Sequence, residues 1–153
     1  MCGIVGRIAR HPLPSLAPAL QAMAHRGPDA QDEVHMEVAN MHVQLGHRRL
    51  SILDLSNAAN QPFQSGDGQQ AIIFNGEIYN HHVLRQKLQA AGEAFRTRSD
   101  TEVLLNGWRA EGFNFLPKLN GMFAFAVLDR HSERLVLVRD PFGIKPLYVA
   151  QLD

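Results

Sequence analysis

MCGIVG, residues 1–6, opens the chain and holds its only cysteine. A thiol directly behind the initiator methionine adds little to a folded core, so its position calls for a chemical reason. The plain alternative is a small hydrophobe entering a buried strand, since CGIVGRIA (residues 2–9) is apolar and rich in β-formers. If Met1 is removed, however, Cys2 carries a nucleophile and a free amine on one residue. The reference pKa of an α-amine is about 7.7–8.0 and that of a thiol about 8.5, so near neutral pH roughly a tenth of such amines can accept a proton. With Met1 retained, the same nitrogen is a peptide amide whose lone pair is delocalised into the carbonyl. Nucleophiles activated by an N-terminal amine are an established form of covalent catalysis.

Composition bounds the rest. At 153 residues the chain is one ordinary domain, able to bury roughly 70% of its unfolded surface. It is 45% hydrophobic and 20% charged with a formal net charge of zero, which disfavours nucleic acid as a partner. The one basic cluster, His47-Arg48-Arg49, is too short to follow a phosphate backbone. A single cysteine forms no internal disulfide and suits a reducing cytoplasm. No leader-like start and no window near 18 apolar residues is present, so no membrane partner is expected. The eight histidines include no HExxH or other ligand-spaced set, and no metal is expected.

Strands and helices alternate along the chain and then give way to strands. SLAPALQAMAHRG places Leu16, Leu20 and Met23 on one helical face, with Ser15 as N-cap and Gly27 past the end. DEVHMEVANMHVQLGHRRLSIL alternates on both sides of Ala39 and Asn40, which predicts a hairpin, and Gly66-Asp67-Gly68 before the apolar run Ala71 to Phe74 predicts another. Two helices follow: Asn80 is expected to cap one with Leu84, Leu88 and Ala91 on a shared face and Gly92 as its stop. Ser99 and Glu102 form an S-x-x-E capping box for the second, which ends at Gly112. GMFAFAVLD and RLVLVRD read as a hairpin across RHSE, and KPLYVAQL as a final strand. The expected class is α+β, with helices covering sheet faces.

Three places exceed what packing needs. Asn75-Gly76 is a strong hairpin signal, yet EIYNHHVL runs on into a helical pattern instead of a returning strand. An Asn amide and the N–H of a following glycine, unshielded by a Cβ, can form an oxyanion hole. Arg49, alone, reads as a solvated charge, and Asp100 as an acid favoured in the first turn of a helix. Together they suit a free amino acid, arginine taking an α-carboxylate bidentately and aspartate an α-ammonium.

MCGIVG, HRGPDA (25–30), RLSILDL (49–55), FNGEIYN (74–80), RSDTEV (98–103), GMFAFAVLD (121–129) and RDPFGIKPLY (139–148) span the chain in this order. In this order they resemble the glutaminase domain of asparagine synthetase, a class II glutamine amidotransferase. The resemblance implies a four-layer αββα sandwich of the N-terminal nucleophile hydrolase type, with Cys2 as mature N-terminus, nucleophile and general base. It further implies that Asn75 and Gly76 stabilise the oxyanion and that Arg49 binds the glutamine carboxylate, with the backbone of Ser51, Ile52 and Leu53 lining the same pocket. Glu77 would help hold the substrate and Asp100 its ammonium; Arg26 is a loop anchor, and Gly143 and Lys145 shape a turn near the far end of the nucleophile domain, with no chemical role. The glutaminase half-reaction needs no cofactor, ATP and Mg belonging to a synthetase domain that this sequence does not contain. The implied partners are glutamine and a synthetase domain or subunit that accepts ammonia. Family domains continue past KPLYVA, so residues 1–153 are expected to lack the last strands and to leave an open edge near Leu147 to Leu152. Two alternatives stand beside this: a non-catalytic truncated fragment, or the glutaminase domain of another amidotransferase, such as those making glucosamine phosphate or phosphoribosylamine.

Overall fold

The computed structural model of the chain describes residues 1–151. Strands β1 (Gly3–Ala9), β2 (Ala30–Val38) and β3 (Met41–Arg49) form an antiparallel sheet in the order β1-β3-β2. Ala39 and Asn40 link β2 to β3 with φ of 50° and 61°, the left-handed pair that a two-residue turn between right-twisted strands requires. Strands β4 (Phe63–Gln64), β5 (Gln70–Ile78), β6 (Gly121–Asp129) and β7 (Arg134–Arg139) form a second antiparallel sheet in that order. The expected Gly66–Gly68 turn joins β4 to β5, with Gly68 at φ 67° and the Asp67 carboxylate accepting from the Gln69 N–H at 3.0 Å.

The period of two builds the layers. In β5, Ala71 and Ile73 face the first sheet and pack with Val43, Leu45, Ala126 and Leu128. Ile72, Phe74 and Ile78 face the other way, with Phe123 and Phe125 of β6, onto helices α2 (His81–Ala90) and α3 (Asp100–Glu111). On the outer side of the first sheet lies the short helix α1 (Ala17–Ala22). Its Leu20, with the N-cap Leu16, covers Gly46, where a Cβ would sit 3.0–3.2 Å from both leucines. The order is therefore α, β, β, α, the four layers implied by the motifs.

Several local expectations change on contact with the tertiary structure. Ser99 caps α3, its Oγ accepting from the Glu102 N–H at 3.3 Å. The Glu102 carboxylate, however, turns away to the N–H groups of Arg96 (2.9 Å) and Thr97 (2.7 Å), so only half of the capping box forms. Asn80 is the N-cap residue of α2 as expected, but its side chain makes no capping bond; its carboxamide donates to Lys118 O (2.9 Å) and accepts from the Asn120 N–H (3.0 Å), pinning the entry to β6. At α1 the N-cap is Leu16 instead of Ser15, although Ser15 Oγ still accepts from the Ala17 N–H at 3.0 Å. Ala91 is exposed because α2 ends at Ala90, one residue short of the face shared by Leu84 and Leu88.

The expected strand KPLYVAQL does not form over its described part. Pro146 has no N–H to give a ladder, no strand among the described residues pairs with residues 146–151, and Tyr148 is 91% exposed. Leu152, its last apolar residue, lies outside the described residues. Strand β7 is the outer edge of its sheet among the described residues. No described helix is long and apolar enough to cross a membrane.

Candidate functional site

The nucleophile candidate is placed by strand register. Gly3 pairs with Arg48, so Cys2 lies beside the chain leaving β3, where its Sγ accepts from the Leu50 N–H at 3.4 Å. The HRGPD segment is folded onto the same corner. Gly27 approaches β3 so closely that a Cβ would lie 2.5–2.6 Å from backbone atoms of Arg48 and Arg49, which only glycine permits. The Asp29 carboxylate accepts from the Ser51 N–H at 2.7 Å, and Arg26 reaches Cys2 O at 3.5 Å. Arg26 thus lies against the backbone of Cys2.

A single cavity gathers Cys2, Arg49, Ile52, Leu53, Asn75, Gly76, Glu77 and Asp100 in its lining. Ser51 is not in that lining, its N–H being turned to Asp29. Arg49 is buried, and its guanidinium donates to Ser56 O (2.9 Å), Asn60 Oδ1 (2.6 Å), Leu53 O (3.3 Å) and Asp54 O. It therefore shapes the loop carrying Ile52 and Leu53 as well as placing a positive charge in the wall.

The edge of β5 explains the Asn75-Gly76 pair. This dipeptide lies inside the strand and makes no turn, and β4 covers β5 only at Ala71 and Ile72. Beyond that point the backbone groups on the open edge fall to side chains. The Phe74 N–H donates to Gln61 Oε1 (2.6 Å) and Phe74 O meets His47 Nε2 (3.2 Å). Two pairs further on, the Ile78 N–H donates to Asp100 Oδ2 (3.1 Å) and Ile78 O meets His81 Nδ1 (2.8 Å). Gly76 lies between them. Its cross-strand partner Phe123 gives its N–H and C=O to Asp140, on the β7 side, so the Gly76 N–H points away from β6 toward the cavity. No side chain among the described residues takes it up. The residue must be glycine, since a Cβ would lie 2.2 Å from Met122 O.

Asp100 is mostly buried and its carboxyl is raised: burial pushes it up, against the Ile78 N–H and the neighbouring His81, which favour the ionised form.

The sequence pattern of the glutamine amidotransferase domain family matches residues 1–153. This chain belongs to that family. It is 45% identical to Bacillus subtilis (strain 168) asparagine synthetase [glutamine-hydrolyzing] 1 over 100% of its own length and 24% of the relative's. It is also 40% identical to the amidase chry2 of Gibberella zeae over 92% of this chain and 20% of that one. The chain thus spans about a quarter or less of the length of these curated relatives. Among solved structures, the glutamine phosphoribosylpyrophosphate amidotransferase of B. subtilis superposes with a TM-score of 0.57 at 30% identity, covering 68% of this chain and 24% of that one.

In this amidotransferase domain, two side chains beside the cavity were not singled out from sequence. Gln61 holds the Phe74 N–H and donates to Thr101 Oγ1 (3.1 Å), tying the β5 edge to the start of α3. His47 and Arg49, part of the basic cluster, alternate inward and are buried, leaving Arg48 outside; the period of β3 was the available signal. His47 Nδ1 has no partner among the described residues, and burial draws the imidazole down to about 4, against the opposing hydrogen bond to Phe74 O. A histidine at its ordinary value of 6.5 in the unfolded chain then binds more protons than the folded one between those limits. Stability from His47 is complete above pH 6.5 and lost as pH falls toward 4, by about 1.4 kcal/mol per unit and about 3 kcal/mol at most. Urea melts at pH 7.5, 6 and 5 should show this loss, and His47→Gln, which keeps a donor for Phe74 O but does not titrate, should flatten it.

Proposed function

We propose that this chain is the glutaminase part of a glutamine-dependent amidotransferase, with Cys2 as its nucleophile. The observation that carries the proposal is the free N–H of Gly76, on a strand edge otherwise occupied by side chains, in one cavity with Asn75 and Cys2. The Asn75 side chain makes no hydrogen bond among the described residues, which leaves its amide free to turn to a developing oxyanion. The Cys2 thiolate attacks the side-chain carbonyl carbon of glutamine, and the carbonyl oxygen becomes an oxyanion facing Gly76 N–H and Asn75. The α-amine of Cys2 receives the thiol proton and passes it to the departing nitrogen, which leaves as ammonia. Water, deprotonated by the same amine, then cleaves the glutamyl thioester to glutamate and restores the thiol.

The α-carbon end of glutamine is assigned to the charged residues that line the same cavity. Asp100 and Glu77 offer carboxylates to its ammonium, while Arg49 and the loop amides it organises face its carboxylate. The released ammonia is proposed to pass to a synthetase domain or subunit, for asparagine synthesis by analogy with the 45% identical B. subtilis relative or for a related amidotransfer. ATP and Mg would be needed only there.

The test is glutamate release from glutamine by preparations of known intact mass. Protein beginning at Cys2 should hydrolyse glutamine, and homogeneous protein retaining Met1 should not, because its nitrogen at that point is an amide. Equal turnover by the two forms would overturn the amine-as-base mechanism. No turnover by either would support a non-catalytic fragment.

A further inference from the structure

RDPFGIK (residues 139–145) contributes a buried charge that the mechanism above does not use. Its turn is tightly built around Asp140. That carboxylate accepts from the N–H groups of Phe123 (3.2 Å), Phe142 (3.1 Å), Ile144 (2.9 Å) and Lys145 (2.9 Å). Burial opposes its ionisation, but these four donors outweigh it and hold the carboxyl below the usual range. Arg139 closes the turn from outside, donating to Lys145 O (2.8 Å) and to Gly143 O (2.7 Å). Gly143, at φ 64°, gives way to that guanidinium, which would meet a Cβ at 2.7 Å.

The product of this construction is the placement of Lys145. The residue is 4% exposed and, contrary to the expectation of a turn near the far end of the domain, lines the cavity that holds Cys2. No carboxylate among the described residues lies within 4.0 Å of its ammonium. Its side-chain nitrogen instead donates to the thioether sulfur of Met1, a weak acceptor. The group that covers Lys145 is therefore the residue whose removal the mechanism requires.

We propose that Lys145 is a positioning charge for Cys2: once Met1 leaves, its uncovered ammonium faces the new N-terminus, disfavours protonation of the Cys2 amine and favours the thiolate. This rests on the assignment of Cys2 as nucleophile. The sulfur of Met1 is joined to the Cys2 nitrogen by a short run of bonds, which puts the Lys145 ammonium within about 9 Å of that nitrogen. At that range in a partly buried site, a like charge changes an amine's protonation equilibrium about three- to tenfold. The other charged groups around Cys2 among the described residues are Arg26 on the 3-10 turn after α1, Asp29 on the segment that follows it, Arg49 at the end of β3, Glu77 on β5 and Asp100 on α3. Glu77, Asp100 and Asp29 favour the ammonium, whereas Arg49, held by neutral carbonyls of its loop, and Arg26, on the carbonyl side of Cys2, disfavour it as Lys145 does. Among these groups Lys145 is the one that contacts Met1, on the amino side of Cys2.

The experiment compares the chain beginning at Cys2 with its Lys145→Met, Lys145→Gln and Lys145→Arg variants. It reads the pH profile of kcat/KM for glutamine and the rate at which iodoacetamide alkylates Cys2. Both neutral variants should move the acidic limb of the profile up by about half to one pH unit and slow alkylation at pH 7 about three- to tenfold. Arginine should keep the original limb. Unchanged limbs and alkylation in the neutral variants, a change confined to KM, or an arginine variant that behaves like methionine would each overturn the proposal. If the parent chain itself neither turns over glutamine nor alkylates at Cys2, the nucleophile assignment falls and this inference with it.

Discussion

Cys2→Ala is expected to abolish glutamate release, by about four orders of magnitude or more, while leaving glutamine binding and the fold in place. Cys2 is only partly buried, and among the described residues the hydrogen bonds of its Sγ are with the Leu50 backbone. The groups proposed to bind glutamine, Arg49, Glu77 and Asp100, belong to other elements. Nucleophile and binding surface are thus separable, and loss of the former removes the covalent route altogether. Cys2→Ser should also be severely impaired, since a hydroxyl is a far weaker nucleophile than a thiolate. Intact mass after treatment with a glutamine analogue carrying an electrophilic side chain should show one addition in the parent chain and none in Cys2→Ala. Near-normal turnover by the alanine variant, or labelling at another residue, would eliminate the covalent mechanism.

Much of this arrangement was legible because local pattern and tertiary structure agree. Alternation in β2 and β3 and the apolar runs of β5 and β6 marked the strands that build the two cores, and the turns fell at Ala39-Asn40 and Gly66–Gly68; Asn40 and Gly68 suit a left-handed backbone, whereas Ala39 takes φ 50° because the two-residue turn imposes it. Where a side chain had a competing partner distant in sequence, local rules failed. Asn80 is a good N-cap residue, but Lys118 and Asn120 lie 38 and 40 residues away and take its carboxamide. Glu102 likewise leaves its capping box for the backbone of Arg96 and Thr97. The final strand failed for a related reason: apolar content can predict an extended segment but cannot supply a neighbour to pair with.

The candidate site shows the same division. Motifs brought Cys2, Arg49, Asn75, Gly76 and Asp100 to notice, and the fold places them around one cavity. Invisible in the sequence was the manner in which β5 is left open. That depends on β4 stopping at Gln64 and on four side chains from different elements, Gln61, His47, Asp100 and His81, occupying the groups on either side of Gly76. Arg49 is also more than a carboxylate ligand in waiting, because its donors already organise the loop beside it. Its removal combines loss of a charge with loss of loop shape.

Asn75→Ala should lower kcat about a hundredfold or more with little change in KM, and this outcome separates an oxyanion donor from a binding residue. Ground-state glutamine presents a neutral amide oxygen, whereas the tetrahedral intermediate presents an anion, so a preorganised donor contributes chiefly after attack begins. One such donor typically accounts for about 2.7–4 kcal/mol of transition-state stabilisation. The backbone of Asn75 is held in register opposite Ala124, and its side chain has no partner in the protein among the described residues, so truncation leaves no orphaned group behind. The melting temperature should therefore stay within a few degrees of the parent. Gly76 cannot be tested in the same way, because a Cβ there would collide with Met122 O at 2.2 Å and Phe123 Cα at 2.7 Å. Gly76→Ala should instead part β5 from β6 and lower stability together with activity. The informative contrast is between the two substitutions: a kinetic defect in a stable protein at Asn75, and a folding defect at Gly76. A change in KM alone at Asn75 would remove it from the oxyanion hole and leave the Gly76 N–H as the only donor there among the groups identified.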